Sequence, residues 1–331
     1  MQKTSITPTV NFDQDGIQHG FLKLPYSYDA SAWGSIMIPI TVVKNGDGPT
    51  ALLTGGNHGD EYEGIIALLK LANRLQADDI TGRVIIVPAM NFPAVDKGTR
   101  TSPIDKGNLN RAFPGRPDGQ VTEKIADYFS RYLIPLCDYA LDIHSGGKTL
   151  DFLPFAAVHR LKDADQQQRC IAAMQAFGAP VNMVLLEMDA AALYDTAVEK
   201  DGKVFVTTEL GGSGTTRPQT MEIADRGVQN FLVHAGILKG EITPSQKAIT
   251  MDMPEASCYV VSEDEGILEL CKNLGDPIAK GDIIGYIHRY KKTGVRAVPY
   301  TAPRDGIVIC RHHVAKIALG DTIVVIADVT P

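Results

Sequence analysis

The sequence predicts an α/β protein in which a mixed sheet is flanked by helices and followed by a small all-β domain. Between residues 36 and 240, short apolar runs alternate with segments of helical period, as in a mixed sheet that helices cover on both faces. Beyond residue 255 the apolar runs are short and Gly-Asp turns separate them, which indicates an all-β region. A hydrophobic content of 44 % over 331 residues provides ample material for a core.

The elements of the first region follow from their local patterns. Runs of aliphatic and β-branched residues predict strands, while apolar residues spaced three and four positions apart predict helices. The first predicted helix shows this spacing at Ile65, Leu68, Leu69 and Ala72. The predicted strands are residues 36–43, 51–54, 84–88, 139–143 and 204–210. The predicted helices are residues 61–76, 122–136, 163–177 and 223–238.

A domain boundary is predicted where the pattern loosens, between residues 239 and 257, because glycine, proline and polar residues interrupt any period there. The two predicted domains are residues 1–245 and 255–331. The Gly-Asp segments of the second domain resemble the barrel-sandwich fold of biotinyl and lipoyl carrier domains. The lysine-centred hairpin that carries the cofactor in those domains is missing, so we expect a non-catalytic cap or assembly unit.

Composition excludes several classes of partner. The formal net charge is −7 and there is no basic run, which argues against nucleic acid and anionic membranes. The first residues lack an apolar signal core, and no apolar run is long enough to span a bilayer. Five scattered cysteines without a C-x-x-C pair indicate reduced thiols. We therefore expect a cytoplasmic protein with a small-molecule partner, which could form a homo-oligomer.

Two histidines and a glutamate are the candidate metal ligands. His58 and Glu61 are three residues apart at the start of a predicted helix, so both side chains can face one point. His144 follows the predicted strand 139–143, and the ends of such strands are where open α/β sheets place their sites. Two imidazoles and one carboxylate form a complete protein ligand set for a catalytic zinc ion.

Two segments near this motif carry candidate substrate-binding residues. Residues 91–100 and 107–115 are rich in glycine, proline and polar residues and are predicted to be loops, where binding groups concentrate. The first contains Arg100, and the second contains Asn110 and Arg111. The planar guanidinium group binds carboxylates through two hydrogen bonds and can polarise a carbonyl oxygen. A solvated surface charge is the alternative interpretation for each arginine.

Glu209 is the candidate general base. It ends a β-branched strand and precedes a glycine-rich loop, so its carboxylate is well placed to accept a proton from water at a hydrolytic zinc site. The alternative is that this carboxylate caps the following loop.

The order of these motifs resembles that of the succinylglutamate desuccinylase/aspartoacylase family, relatives of the zinc carboxypeptidases. The residues that carry the resemblance are His58, Glu61, Arg100, Asn110, Arg111, His144 and Glu209. The resemblance implies a zinc-carboxypeptidase-like sheet over about residues 36–235 and a β-rich C-terminal domain. It also implies one zinc ion per chain on His58, Glu61 and His144. In this family Glu209 would be the general base, Arg100 would polarise the scissile carbonyl, and Asn110 with Arg111 would hold the substrate carboxylate.

The chain departs from the aspartoacylase pattern just before Glu209. Aspartoacylase has an arginine a few residues before its base glutamate, and that arginine holds a second substrate carboxylate. Here residues 199–203 offer lysines instead, and Glu187 and Asp189 lie upstream. A cationic substrate side chain is therefore expected. The motif GGNHGDEYEG resembles that of the deacetylases of N-acetyl-diaminobutyrate, so the leading hypothesis is a deacylase that removes an acetyl or succinyl group from an amino acid. A zinc carboxypeptidase acting on peptides and a non-catalytic binding protein are the alternatives.

Several other residues are set aside. His19, His159, His234 and His288 have no partner at ligand spacing, and we expect them to be surface or packed residues. Trp33 is predicted to pack in the core or under a lid.

Overall fold

A mixed sheet runs through most of the part of the chain that the structure describes. The computed structural model describes residues 3–185, 192–243 and 248–330. Within these ranges fifteen strands form one continuous set of pairings, and four further strands form a separate antiparallel sheet. None of the helices in these ranges is long and apolar enough to cross a membrane.

Helices are interspersed among strands through the first two thirds of the described chain, and strands predominate after that. The strands of the first part are β1 (Thr7–Pro8), β2 (Gly16–Pro25), β3 (Ser35–Asn45), β4 (Thr50–Gly55), β5 (Gly82–Val87), β6 (Tyr139–His144), β7 (Leu150–Phe152), β8 (Phe155–His159), β9 (Val181–Leu185) and β10 (Val204–Glu209). The helices are α1 (Glu63–Arg74), α2 (Phe92–Lys97), α3 (Val121–Tyr128), α4 (Ala164–Phe177), α5 (Tyr194–Lys200) and α6 (Pro218–His234). The later strands are β11 (Ile249–Met253), β12 (Tyr259–Val261), β13 (Gly266–Leu270), β14 (Pro277–Ile278), β15 (Ile283–His288), β16 (Val298–Thr301), β17 (Gly306–His312), β18 (Lys316–Ile317) and β19 (Thr322–Thr330).

The parallel centre of the sheet, in the order β5-β4-β6-β10, positions the candidate site. Gly55 at the end of β4 pairs with Ile143 of β6, and His144 pairs with Glu209 at the end of β10. The carboxyl ends of three neighbouring strands therefore meet at one edge, as is usual for sites in α/β sheets. The segment that follows β4 carries His58 and Glu61 to this same edge.

Helices cover both faces of the sheet, as predicted. On one face α1, α4 and α6 pack on the strands, with Leu68, Met174 and Phe231 buried in the shared core. On the other face α3 and α5 contribute buried residues such as Ile125 and Val198. Neighbouring residues of one strand face opposite cores because strand side chains alternate. This confirms the predicted fold of a mixed sheet with flanking helices.

The C-terminal region is all-β, as predicted, and its strands also extend the main sheet. β11 lies parallel to β9 and antiparallel to β19, while β17 pairs with both β19 and β7. The separate sheet has the order β16-β15-β13-β18. Because β11 lies within the segment predicted to separate two domains, the hydrogen-bonded sheet continues across that boundary.

Two local predictions were wrong. The segment from 91 to 100, predicted to be a loop, contains α2, since Pro93 sits in the first turn where no amide donor is needed and Gly98 ends the helix at φ 63°. By contrast, the predicted helix 122–136 is helical throughout, as α3 up to Tyr128 and then as a π turn and a 3-10 turn. Trp33, predicted to be packed, is 98 % exposed.

Candidate active site

His58, Glu61 and His144 form a buried cluster at the carboxyl edge of the sheet. The Nδ1 atom of His58 lies 2.7 Å from Oε1 of Glu61, and the Nδ1 atom of His144 lies 2.7 Å from Oε2. The three residues are 2–7 % exposed. One ligand atom from each lies within 4.8 Å of the other two. These residues, which the sequence predicted as metal ligands, are brought together by the fold.

The outward nitrogens of both imidazoles have partners that orient the rings. Nε2 of His144 donates to Oδ2 of Asp142 at 2.8 Å, and Nε2 of His58 donates to Oδ1 of Asn108 at 3.2 Å. When each ring is neutral with its proton on Nε2, as metal binding requires, its lone pair lies on Nδ1, which faces the cluster. Oxygen partners on the outward nitrogens are typical of histidines that bind metal ions.

Asp142 is in turn held by two further hydrogen bonds. Thr54 donates to its Oδ1 at 2.7 Å, and the amide of Asn57 donates to its Oδ2 at 3.0 Å. The sequence reasoning missed Asp142 and Asn108. A signal was available for Asp142, because residues two apart on a strand point to the same face, which places Asp142 beside His144.

The electrostatics of the cluster suit a cation. Burial disfavours the imidazolium form of His144, but the carboxylates of Asp142 and Glu61 outweigh burial and raise the pKa of His144 well above its usual value. Burial would raise the pKa of Glu61, yet the two histidines hold that pKa well below its usual value. Burial lowers the pKa of His58. An anionic carboxylate between two imidazoles is a donor set that fits a divalent metal ion.

Glu209 faces the same site from the end of β10. Its Oε2 atom is buried and has no hydrogen-bond partner among the residues that the structure describes. Burial and the neighbouring Glu61 raise the pKa of Glu209 to about 8. A carboxyl group in this setting can hold a proton or release it near neutral pH, which is the property a general acid and base requires.

Arg100 reaches the cluster from the segment after α2. Its Nη1 atom donates to Nδ1 of His58 at 3.3 Å and lies 3.5 Å from Oε1 of Glu61. The side chain is 53 % exposed, and Arg100 lines the same cavity as His58 and His144. Arg100 can therefore stabilise negative charge that develops next to the cluster.

Asn110 and Arg111 lie on a short 3-10 turn, Leu109–Arg111, in the neighbouring loop. Oδ1 of Asn110 accepts from the backbone amide of Tyr194 at 3.1 Å, and Nη1 of Arg111 donates to the carbonyl of Asn110 at 2.8 Å. Both residues line the same cavity as His58 and Glu209. The predicted substrate-binding residues therefore line the same cavity as the candidate metal ligands His58 and His144.

The cavity has a volume of about 280 Å³, and both parts of the chain form its wall. The C-terminal strands contribute Met253, Tyr259, Cys310, Thr322 and Val325. These side chains enclose the site, which leaves room for a small molecule.

An acidic part of the wall was not identified from sequence. Asp195 and His159 line the cavity, and Nδ1 of His159 lies 2.9 Å from Oε1 of Glu199. His159 is 4 % exposed, so it is a packed residue as expected, although the sequence did not indicate its partners. Glu187 and Asp189, the acidic residues proposed from sequence, lie outside the described residues.

Comparisons with known proteins agree on one family. Residues 47–235 match the catalytic domain of succinylglutamate desuccinylase/aspartoacylase. The chain is 59 % identical to N-alpha-acetyl-L-2,4-diaminobutyric acid deacetylase of Halomonas elongata, over 98 % of this chain and 95 % of that protein. The product-bound structure of the ectoine utilization protein EutE (DoeB) from Ruegeria pomeroyi is 57 % identical and superposes with a TM-score of 0.97, covering 99 % of this chain and 100 % of that chain. A crystal structure of a succinylglutamate desuccinylase from a Silicibacter species is 56 % identical, with a TM-score of 0.97 and full coverage of both chains.

Proposed function

The chain belongs to the succinylglutamate desuccinylase/aspartoacylase family, and we propose that it is a zinc-dependent deacylase that removes the acetyl group from N-acetyl-2,4-diaminobutyrate. One observation supports this most directly. Glu209, with a buried carboxylate oxygen that has no described partner, shares a cavity with two candidate metal ligands and two arginines. A site that hydrolyses an amide needs a base, a cationic centre and a group that orients the substrate, and the residues of this cavity offer a candidate for the base, ligands for the cation and arginines for orientation.

His58, Glu61 and His144 would hold one zinc ion per chain, because their donor atoms face one another and their outward nitrogens are already bonded. A bound zinc ion polarises a carbonyl oxygen and lowers the pKa of water. Asp142 and Asn108 would fix the ring orientations of the two histidines.

Glu209 acts as the base and then as the acid. It accepts a proton from the attacking water as the new bond from oxygen to the amide carbon forms. When the bond from carbon to nitrogen breaks, Glu209 gives this proton to the leaving amine, so that acetate and a free amino acid result. A pKa near neutrality serves both steps.

The remaining polar residues orient the substrate. Arg100, close to Glu61 and lining the cavity, stabilises the oxyanion that develops on the amide oxygen. Asn110 and Arg111 bind the α-carboxylate of the amino acid, for which a guanidinium group is the preferred partner.

The two alternatives from the sequence are less well supported. A carboxypeptidase must admit a peptide chain, whereas strands β12, β17 and β19 line a cavity of about 280 Å³ here. A binding protein has no use for a carboxyl group with a pKa near 8 beside a metal site. The five free cysteines support a cytoplasmic location. A homo-oligomer remains a prediction, which light scattering of the purified protein would check.

A substrate panel and a metal analysis test the proposal. Protein purified without chelators should contain about one zinc ion per chain. It should be assayed with acetyl and succinyl derivatives of diaminobutyrate, ornithine, aspartate and glutamate, and with blocked peptides. We expect acetyl-diaminobutyrate to give the highest kcat/KM. A preference for acetylaspartate or succinylglutamate would overturn the substrate assignment. Efficient cleavage of long peptides would overturn the proposal that the protein is a deacylase.

A further inference from the structure

We propose that Asn108 couples metal binding at His58 to substrate binding at the turn Leu109–Arg111, so that each ligand tightens the binding of the other. This inference rests on the proposed function, which places a zinc ion on His58 and the substrate α-carboxylate on Asn110 and Arg111, and it assigns Asn108 as a positioning residue. A single atom makes the connection. Oδ1 of Asn108 accepts a hydrogen bond from Nε2 of His58 at 3.2 Å and another from the backbone amide of Asn110 at 3.1 Å.

The backbone amide of Asn110 fixes the orientation of the Asn108 side chain. A backbone N–H can only donate, so the Asn108 atom that it meets must be the carbonyl oxygen and not the amide nitrogen. That oxygen can accept from a neutral His58 ring only when the ring carries its proton on Nε2. The lone pair then lies on Nδ1, the nitrogen that faces Oε1 of Glu61 at 2.7 Å. The turn therefore selects the tautomer of His58 that can bind a metal ion within the cluster.

Asn108 also begins the turn that carries the proposed substrate-binding residues. Its side chain accepts from the backbone amide of Asn110, and its backbone carbonyl accepts from the backbone amide of Arg111 at 3.0 Å. The far side of the turn is fixed by Tyr194, whose backbone amide donates to Oδ1 of Asn110 at 3.1 Å. A displacement of Asn108 therefore moves the backbone of both residues that are proposed to bind the α-carboxylate.

The coupling follows because the two ligands share the cost of ordering Asn108. A metal ion that takes the lone pair of His58 fixes the ring, and the hydrogen bond from Nε2 then fixes Oδ1 of Asn108. The backbone amide of Asn110 has its acceptor already in place, so a carboxylate that binds to the turn has less motion to suppress. The converse holds when the substrate binds first. By thermodynamic linkage the two effects have the same size, and couplings of this kind are typically about fivefold or more.

The second candidate histidine is held by a different part of the fold. Nε2 of His144 donates to Asp142, which accepts in turn from Thr54 and Asn57. These residues belong to the edge of the sheet and to the loop after β4, and the substrate-binding turn does not include them. The coupling is therefore assigned to the side of the metal site that carries His58, and a change at Asp142 offers a control for it.

The test measures how much zinc tightens substrate binding. Calorimetry gives the Kd of Nα-acetyl-2,4-diaminobutyrate for zinc-saturated and zinc-free protein, with Glu209→Gln in every sample so that the substrate is bound and not hydrolysed. The ratio of the two Kd values is the coupling. Direct contact between zinc and substrate contributes to this ratio in every variant, so it cancels when variants are compared.

Three variants in this Glu209→Gln parent separate the possible roles of Asn108. We expect Asn108→Ala to lower the ratio by about fivefold or more. Asn108→Asp keeps an acceptor oxygen for both donors, so its ratio should stay within about twofold of the parent. Asp142→Asn is the matched control, since it weakens the support of the other histidine and should leave the ratio as it is in the parent.

Two measurements on the wild-type protein need no change at Asn108. Proton–nitrogen NMR spectra of the histidine rings report which nitrogen of His58 is protonated, and we expect Nε2 in the zinc-loaded protein. Hydrogen exchange of the Asn110 backbone amide should be slower with zinc than without it, because its acceptor is then held in place. A proton on Nδ1 of His58, or equal exchange rates, would contradict the inference.

The outcomes also distinguish the inference from the proposed function. If Asn108→Ala loses the same affinity with and without zinc, the ratio is unchanged and Asn108 has only a general structural role. If the ratio falls as far in Asp142→Asn, the coupling does not depend on the contact between Asn108 and His58. Either result overturns the inference while the proposed function stands. Failure of the zinc-saturated Glu209→Gln protein to bind acetyl-diaminobutyrate would instead overturn the proposed function, and the inference with it.

Discussion

Glu209 and His144 are register partners across the parallel strands β10 and β6, so the proposed base and a proposed metal ligand are held together by backbone hydrogen bonds. The backbone amide of Leu210 donates to the carbonyl of His144 at 3.0 Å, which extends this pairing past the end of both strands. A rigid sheet edge therefore fixes the separation between the two groups. Loops could not fix it as well, because they are the more mobile parts of a fold.

Replacing Glu209 with glutamine should remove the base and leave the site otherwise intact. We expect turnover of acetyl-diaminobutyrate to fall by about two to four orders of magnitude, the usual contribution of general acid and base catalysis. Zinc content and the circular dichroism spectrum should match wild type, since neither the metal ligands nor the core is changed. An unchanged turnover number would exclude Glu209 from this role.

The same variant should alter the pH dependence of stability in the metal-free protein. The pKa of Glu209 is raised from 4.5 to about 8 in the folded state, so between these values the folded protein keeps a proton that the unfolded chain releases. The free energy of unfolding of wild type therefore falls as the pH rises through this window. Glu209→Gln should be as stable as wild type near pH 4.5, and more stable by about 1 kcal/mol or more at pH 8.

Thermal unfolding at several pH values, after removal of metal with a chelator, measures this difference. Glu241→Gln, a change at an exposed position, is the control and should follow the wild-type curve. A constant difference between Glu209→Gln and wild type from pH 4.5 to 8 would mean that Glu209 titrates normally in the fold.

Asp142→Asn should weaken metal binding, although Asp142 is not expected to bind the metal itself. The carboxylate accepts from Nε2 of His144 at 2.8 Å, and asparagine, which lacks the charge and one acceptor oxygen, holds the ring less strongly. We expect zinc affinity to fall by about 10- to 100-fold, as for other residues that support metal ligands. Competition with a chromogenic chelator would measure it, and an affinity equal to that of wild type would contradict the orienting role.

Removal of residues 254–331 should abolish activity and expose apolar surface. β19 covers one edge of β11 and β17 pairs with β7, so truncation leaves strand edges and buried residues such as Phe155 and Met183 open to water. We expect aggregation, which light scattering would detect. A monodisperse, fully active fragment would show that the C-terminal strands neither stabilise the fold nor complete the cavity.

The sequence by itself determined the alternation of strands and helices and the residues with the clearest chemistry. Hydrophobic period is a local property, so the central strands and the helices α1 and α4 were predicted within about two residues of their ends. His58 and Glu61 could be paired from sequence because they are three residues apart. The segment from 91 to 100 was predicted wrongly, because its proline and glycine suggest a loop whereas here they begin and end a helix.

The tertiary structure alone decided which distant residues complete the site. Asn110 and Tyr194 are 84 positions apart and are joined by one hydrogen bond, and Asn108 meets His58 across 50 positions. The C-terminal side chains that enclose the cavity, such as Tyr259 and Val325, come from strands that add to the far side of the sheet. The physical reason is that such contacts depend on strand order and register. These are set by packing of the whole chain, and no local pattern of residues encodes them.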